Sequence, residues 1–349
     1  MPRRQVALLS IAALLLVPAI YSLTHFRSGA RALTLVSDAY HLDKIYRSME
    51  GPMSVQANLR LIAQPTAPVQ WITGVETRVV DAAEQKPVSQ EFFCHSNLTF
   101  AENSGTAARY NRMLGGKTHL DFRLFTLVPG RMSIELPRGF GVPVPANAPL
   151  DYVTMSLNMN RQGRAVDVRM QTQLHTIAAD EADAPTKALF RRALYVLQPR
   201  DGGENTRPIC MAGATQHGGA GCAEFQPGAG LTNHWIVPQG RHVYRTEITP
   251  QLNLPFDTTI HYATIHVHPF ARAMELRDLT TGATVLRLGS RDWPDRLGVA
   301  HVDELKSVEG VPIQRNHRYE LDVEYDNTSP AETDAMAILY LYLLEKQFT

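Results

Sequence analysis

The feature that most constrains the fold is a series of short segments in which polar and apolar residues alternate. Alternation with a period of two is typical of β-strands, and these segments are rich in β-branched and aromatic residues, which favour strands. The nine segments are Val69–Val80, Phe122–Val128, Met132–Leu136, Tyr152–Met159, Val166–Leu174, His234–Val237, Thr258–Val267, Ala283–Leu288 and Tyr319–Tyr325. Turn-forming residues lie between them, among 23 glycines and 22 prolines in the chain,. The sequence therefore predicts an all-β fold of antiparallel, jelly-roll-like β-sandwiches.

Chain length predicts two such domains in tandem. At about 150 residues per domain, 349 residues correspond to two,. We assign residues 33–185 to an N-terminal β-sandwich domain and residues 186–349 to a C-terminal one. One helix is expected at Pro185–Leu194, because a proline is well suited to the first turn of a helix. Its Arg191 and Arg192 are expected on a solvent-exposed face.

A long irregular segment, residues 198–231, is predicted to be a loop inserted near the domain junction. Loops of this length are uncommon unless they are functional or serve as linkers. Cys210 and Cys222 lie within it, and a disulfide between them would stabilise the fold by about 3 kcal/mol in the chain-entropy model. The alternative is a metal site in which His217 joins the two thiolates.

The N-terminal segment predicts export. Arg3 and Arg4 precede a mainly apolar stretch, residues 6–23, which suits a signal peptide and is just long enough to cross a bilayer. We expect residues 1–32 to be a cleaved signal peptide or a membrane anchor. The rest of the chain is then extracytoplasmic, either periplasmic or secreted. A nucleic-acid partner is not expected, because 34 Lys+Arg are balanced by 34 Asp+Glu,.

The candidate chemistry is that of a metal ion, because the sequence lacks the common hydrolase, zinc-protease, dithiol and nucleotide-binding motifs,. His266 and His268 share one face of a predicted strand, with Cα atoms about 6.5 Å apart. Met336 lies on the even-numbered face of a second predicted strand, Asp334–Tyr342, where a methionine commonly serves only packing. Two imidazoles and a thioether suit copper, including Cu(I), better than zinc or magnesium.

These residues belong to three motifs that resemble the type II copper, ascorbate-dependent monooxygenases, a family that includes the peptidylglycine α-hydroxylating and dopamine β-monooxygenases. The motifs are Trp235–Gly240, His266-Val267-His268 and Asp334–Tyr340, and Met336 is the 70th residue after His266. In that family the histidine pair and the methionine hold the copper ion at which dioxygen is activated. The resemblance covers about residues 195–346 and implies this role for His266, His268 and Met336.

The resemblance is incomplete at the positions that bind substrate in the peptide-amidating members. An arginine, an asparagine and a tyrosine of those members correspond to Thr264, Ile338 and Tyr340, so only the tyrosine is retained. The resemblance thus implies a catalytic role for Tyr340. A peptide carboxylate is not the expected substrate, because the guanidinium that would bind it is missing. We expect an unidentified small-molecule substrate and an external electron donor, either an ascorbate-like reductant or a redox protein.

The first half of the chain resembles the family less closely, at Glu135–Val142 and Asp151–Asn158. Where the family has two adjacent histidines for a second copper ion, this chain has Cys94 and His95, and Asn158 replaces the third histidine. Adjacent residues of a regular strand point to opposite faces, so only a β-bulge would bring both side chains to one ion. The alternatives are a reworked second copper site and a buried thiol beside a histidine.

The sequence therefore predicts an exported copper-binding protein with one His-His-Met site and monooxygenase-like oxidoreductase activity. The first alternative is a non-catalytic copper-binding or copper-delivery protein on the same scaffold. The second is a structural β-sandwich module whose histidines bind no metal.

Overall fold

A computed structural model describes most of the chain after the N-terminal segment. The described residues are 31–46, 50–61, 67–83, 85–101, 123–161, 163, 165–181, 183–185, 187–200 and 230–348. The apolar stretch at residues 6–23 and the predicted Cys210–Cys222 disulfide lie outside them. The first described strand begins at Arg31, inside the segment assigned to the signal or anchor.

The described residues are almost entirely β, which confirms the predicted all-β class. Each of the nine segments predicted from alternation overlaps a strand. In chain order the strands are β1 Arg31–Val36, β2 Tyr40–Leu42, β3 Met53–Leu59, β4 Val69–Asp81, β5 Phe93–Phe100, β6 Arg123–Leu127, β7 Ser133–Glu135, β8 Phe140–Pro145, β9 Leu150–Ser156, β10 Val166–Ala178, β11 Lys187–Tyr195, β12 Gln198–Pro199, β13 Leu231–Thr232, β14 Trp235–Val237, β15 Gly240–Glu247, β16 Thr258–Val267, β17 Ala271–Asp278, β18 Thr284–Asp292, β19 Val299–Val302, β20 Glu304–Ile313, β21 Tyr319–Asn327, β22 Thr333–Ala335 and β23 Ala337–Leu344. Among the residues that the structure describes, the helices are a 3-10 turn at Gln90–Phe92 and α1 at Thr249–Leu252.

The helix predicted at Pro185–Leu194 is wrong, because this segment forms strand β11. It pairs along most of its length with β23, from Leu189 opposite Leu344 to Tyr195 opposite Ile338. β11 is buried on both faces, so its sequence does not show the alternation of a half-exposed strand, and it carries two arginines within the buried stretch,. The arginines predicted on an exposed face are buried.

Both arginines instead make contacts within the core. The Arg191 guanidinium lies 4.6 Å from the centre of the Tyr340 ring and donates to the hydroxyl of Thr126. Arg192 donates to the carbonyl of Leu252 at the end of α1. The aliphatic stems and charged heads of both residues are therefore part of the packing between layers.

Three sheets carry most of the structure. A long sheet has the order β1-β10-β4-β8-β11-β23-β16-β20, with β2 beside β10 and β7 beside β4. A four-stranded sheet, β3-β9-β5-β6, and a five-stranded sheet, β15-β21-β17-β18-β19, are the other two. Hydrogen bonds connect both smaller sheets to the region of the long one. The Tyr152 hydroxyl contacts Thr172 of β10, and the Tyr325 hydroxyl donates to the carbonyl of Met336, the residue directly before β23. The layers therefore form antiparallel sandwiches around a common apolar core,.

The strands from the two ranges assigned as domains meet within the long sheet. The link is a short parallel pair between β8 and β11, with Lys187 opposite Phe140 and Ala188 opposite Gly141. The two described ends of the segment 198–231 lie side by side, because β12 pairs with β13. These connections bring the end of β16 and the start of β5 towards one cleft.

Burial of His261 in β16 predicts a dependence of stability on pH. Its Nδ1 lies 3.0 Å from the Ser307 carbonyl, and its ring packs 4.1 Å from that of Phe140. Burial, aided by the charge of Lys187, lowers the pKa of His261 below 6.5, and the hydrogen bond with Ser307 and the charge of Glu309 oppose this shift only in part. The unfolded chain therefore binds a proton that the folded chain does not. Below pH 6.5 this one group should reduce the free energy of unfolding by up to about 1.4 kcal/mol per pH unit.

Urea unfolding of the wild type and His261→Gln between pH 7.5 and 5 tests this expectation. The variant should lose less stability than the wild type as the pH falls, whereas the control Val243→Ala, at an exposed side chain that does not ionise, should follow the wild type. Equal pH slopes for the wild type and His261→Gln would contradict it.

Candidate metal centre

Two buried histidines stand side by side at the end of β16. His266 is the penultimate residue of the strand and His268 follows it, and both are less than a tenth exposed. Residues two apart on an extended backbone project to the same face, and their ring centres lie 5.4 Å apart. Two imidazoles bound to one ion at about 2.0 Å, through one nitrogen each, would have ring centres about 5 Å apart. The spacing therefore suits two ligands of a single ion.

Met336 lies opposite His268, where the pairing of β16 with β23 continues beyond the end of both strands. His266 pairs with Ile338 and Val267 with Ala337, and the next step of this register brings the His268 N–H to 3.3 Å from the Met336 carbonyl. Opposed residues of antiparallel strands project to the same face, with Cβ atoms about 5 Å apart. The expected strand Asp334–Tyr342 is interrupted, because β22 ends before Met336 and β23 begins after it. The register nevertheless assigns the predicted ligands His266, His268 and Met336 to one face.

His266 has a polar atom that nothing in the described part of the chain satisfies. Its Nδ1 is buried without a hydrogen-bond partner. Burial, together with the neighbouring His268 and His95, holds the pKa of His266 well below 6.5. The ring is therefore neutral at physiological pH and has a lone pair that a metal ion can accept.

Asp334 joins the two histidines His234 and His268. Its Oδ2 lies 2.9 Å from Nδ1 of His268 and 3.2 Å from Nε2 of His234. Burial alone would raise the pKa of Asp334, but the charges and hydrogen bonds of His268 and His234 lower it below 3.8. The carboxylate is therefore ionised. Ligand atoms of these three residues all lie within 4.8 Å of one another, so they form a second candidate donor set, which also contains His268.

This arrangement was not predicted from the sequence. His234 immediately precedes β14, which pairs with β22 so that Ile236 lies opposite Asp334. The strands are short, and 100 residues separate the histidine from the aspartate. The sequence contains one indication that Asp334 lies at the metal centre, because Asp334 belongs to the same motif as Met336.

A cleft leads from this centre to the start of β5. Its lining includes His266, His268, Asp334, Trp293, Cys94 and Met159. The volume is about 40 Å³, room for about three water molecules. The centre is therefore reached through a narrow and largely apolar space.

Met336 does not line this cleft and belongs to the main apolar core. Tyr340, the fourth residue expected at the site, does not line the cleft either. It pairs with Thr264 in the strand ladder and is 3% exposed, with the Arg191 guanidinium over its ring. The contact with Arg191 gives it a packing role.

The side chains of Cys94 and His95 lie side by side, and the β-bulge that a shared site would need is present. The pairing of β5 with β9 shifts register between Phe93 and His95, which is a β-bulge,. The bulge brings the Cys94 Sγ within 3.3 Å of the His95 Nδ1. Burial, aided by the charge of Arg123, lowers the pKa of His95 to about 3.

Asn158, at the position of the missing third histidine, has a structural role. Its amide nitrogen donates to the carbonyls of Lys44 and Arg161, and its oxygen accepts from the Arg161 N–H. Its side chain therefore organises the loop after β9.

No helix among the described residues has the length and apolar character needed to cross a membrane.

Comparison with known proteins assigns no family to the chain. No family model matches it, and no curated protein matches it. Among solved structures, the crystal structure of the STIV MCP is 8% identical with a TM-score of 0.37, and the match covers 91% of this chain and 98% of that one. PNGF-II is 8% identical with a TM-score of 0.33, covering 90% and 66%. The VP2 subviral particle of infectious bursal disease virus is 9% identical with a TM-score of 0.22, covering 92% and 74%. These scores are too low to carry an argument about function.

Proposed function

We propose that the protein binds one copper ion at His266, His268 and Met336 and acts as an extracytoplasmic, copper-dependent oxidoreductase of the monooxygenase type. The observation that carries the proposal is the His266–His268 pair, buried side by side with a partnerless Nδ1 on His266. Met336 is the residue opposite His268. The motif resemblance supports copper as the metal.

The donor atoms favour copper over a harder divalent ion. The alternative set, His234, His268 and Asp334, offers no sulfur, and its three ligand atoms are already occupied by hydrogen bonds with one another. In that arrangement the His268 Nδ1–H donates to Asp334, which leaves the Nε2 lone pair for a metal ion. We therefore assign Asp334 the role of orienting His268, and His234 the role of holding Asp334.

Copper, when bound, supplies one-electron chemistry with dioxygen. The residues of the chain bind and orient the ion and restrict the access of water through the narrow cleft. Trp293 and Met159 provide apolar surface beside the histidines, so a small and mainly apolar substrate fits the cleft better than an anion. Electrons come from an external donor, an ascorbate-like reductant or a redox protein. The N-terminal segment, residues 6–23, directs export and is removed or retained as an anchor.

Metal titration of the full chain tests the ligand assignment. The wild type should bind one equivalent of Cu(II) at the histidine centre, with a spectrum typical of nitrogen ligation. Met336→Leu should weaken Cu(I) binding at this centre by about tenfold or more and affect Cu(II) less, because a thioether is a soft ligand. His242→Ala, at a histidine outside the centre, is the matched control and should bind as the wild type does. Unchanged Cu(I) affinity in Met336→Leu would contradict the His-His-Met set.

An activity assay distinguishes the proposed copper-dependent enzyme from the alternative, a protein that only delivers copper. Copper-loaded protein with ascorbate and oxygen should hydroxylate members of a panel of small apolar compounds. Tight copper binding without peroxide or hydroxylated product would favour delivery.

A further inference from the structure

A loop between β18 and β19, residues 293–298, forms one rim of the cleft. Trp293, Leu297 and Gly298 line the cleft, and Leu297 is also exposed to solvent. The opposite rim is the 3-10 turn that begins at Gln90, a residue that likewise lines the cleft and is exposed. Residues that border both the cleft and the solvent mark the place where a ligand enters. The entrance therefore lies between this loop and the 3-10 turn.

One asparagine joins the two rims. The Asn160 Nδ2 donates to the Leu297 carbonyl, and the Leu297 N–H donates to the Asn160 Oδ1, both at 2.9 Å. The same Nδ2 lies 3.3 Å from the Glu91 Oε2 in the 3-10 turn. The loop also closes on itself, because the Trp293 N–H donates to the Gly298 carbonyl. The loop is therefore attached to the opposite rim as one unit.

A buried carboxylate reinforces this attachment. The Glu91 side chain is 4% exposed, and its Oε1 lies 2.9 Å from the Arg161 Nη2 and 3.5 Å from the Arg296 Nη1. Arg161 follows Asn160 directly, whereas Arg296 belongs to the loop. Each guanidinium also lies over an aromatic ring of its own rim, Phe92 for Arg161 and Trp293 for Arg296. A buried carboxylate is costly without a charged partner, so these ion pairs favour the closed arrangement of the two rims.

We propose that Glu91, Asn160, Arg161, Arg296 and Leu297 form a clasp that keeps the cleft closed, and that opening of the clasp admits ligands to the histidine centre. The closed cleft has a volume of about 40 Å³, room for about three water molecules. A substrate of more than a few heavy atoms therefore enters only when the clasp opens. As a control of turnover, the clasp rests on the function proposed above. As a control of access to the cleft, it requires no metal ion.

The contacts of the clasp are of a strength that permits transient opening. The side chains of Arg161 and Arg296 are 49% and 32% exposed, so water and salt weaken their attraction for Glu91,. Asn160 and Leu297 are joined by two neutral hydrogen bonds, and losing one such bond shifts an equilibrium by about two- to tenfold. A substitution at either contact should therefore increase the population of the open form measurably.

The reaction of Cys94 with iodoacetamide in the metal-free full chain measures this opening. Cys94 lines the cleft and is 3% exposed, so the neutral reagent reaches the thiol after the clasp opens. In a parent protein with Cys210→Ser and Cys222→Ser, Cys94 is the one thiol left. Asn160→Ala should increase the reaction rate about tenfold. Asn316→Ala, at an exposed asparagine in a turn outside the cleft, is the matched control and should react as the parent does.

Salt tests the ionic part of the clasp separately. Raising the NaCl concentration from about 0.05 to about 1 M should accelerate the reaction of the parent several-fold, because salt screens the ion pairs of Glu91. Glu91→Gln keeps the size of the side chain and removes its charge. This variant should react faster than the parent at low salt and should lose most of the dependence on salt.

Global unfolding would also expose Cys94, so urea unfolding of each variant is measured beside the reaction. A rate increase larger than the change in the unfolding equilibrium supports the clasp. Equal rates for the parent, Asn160→Ala and Glu91→Gln would overturn it, and so would increases no larger than the loss of stability explains. The assay contains neither metal ion nor substrate. Its result therefore stands whether or not copper binds at the His266–His268 centre, and copper binding with unchanged Cys94 rates would overturn the clasp alone.

Discussion

His268→Ala is expected to reduce copper affinity at the histidine centre at least about 100-fold, more than the loss of a supporting residue alone. His268 belongs to both candidate donor sets and is the histidine that Asp334 orients. Its removal takes away one ligand and leaves the Asp334 carboxylate with His234 as its remaining imidazole partner. Equilibrium dialysis with Cu(II), followed by metal analysis and spectroscopy, measures the effect.

Two variants make this result specific. His234→Ala removes a partner of Asp334 but no proposed copper ligand, so it should weaken binding by about tenfold at most. His301→Ala changes a histidine outside the centre and should bind as the wild type does. If His268→Ala retained wild-type affinity, neither donor set would be correct. If His234→Ala abolished binding as His268→Ala does, the ion would be held by His234, His268 and Asp334.

The fold class could be predicted because exposure and burial alternate along many of these strands. In β10 the residues from Val168 to Leu174 alternate between buried and partly exposed, and the sequence of the predicted segment Val166–Leu174 shows the same alternation of apolar and polar residues. β11 has no such regularity, because it lies between β8 and β23 and is buried on both faces. A short segment without alternation does not distinguish a strand from a helix, and Arg191 and Arg192 favoured an exposed helical face, which is why the interpretation of Pro185–Leu194 was wrong.

The site was predictable to the extent that it depends on local periodicity. His266 and His268 are two residues apart on one strand, so their shared face follows from the strand period. The bulge at Cys94 adds one residue to one strand, and no residue type in that segment marks it. The contact between His234 and Asp334 depends on the pairing of β14 with β22, which a single sequence does not specify.

Tyr342→Ala is expected to lower the free energy of unfolding by about 3–5 kcal/mol, the usual cost of removing a large buried side chain. Tyr342 is fully buried in β23, with ring centres 5.4 Å from Phe125 and 5.8 Å from Tyr262. Its hydroxyl donates to the Leu124 carbonyl at 3.0 Å. Leu124 and Phe125 belong to β6 in the four-stranded sheet, so one side chain couples that sheet to the long one. Urea unfolding monitored by circular dichroism measures the change.

Tyr342→Phe separates the two contributions of this residue. It keeps the ring and removes the hydroxyl, so it should cost about 1–2 kcal/mol, the penalty for a buried hydrogen bond that is lost. Val243→Ala, at a side chain that is 47% exposed, should change stability by less than about 0.5 kcal/mol. If Tyr342→Ala were as mild as Val243→Ala, the four-stranded sheet would not be packed on the long sheet through this ring. A difference of about 2 kcal/mol or more between Tyr342→Ala and Tyr342→Phe would instead show that ring packing, rather than the hydroxyl, provides most of the coupling.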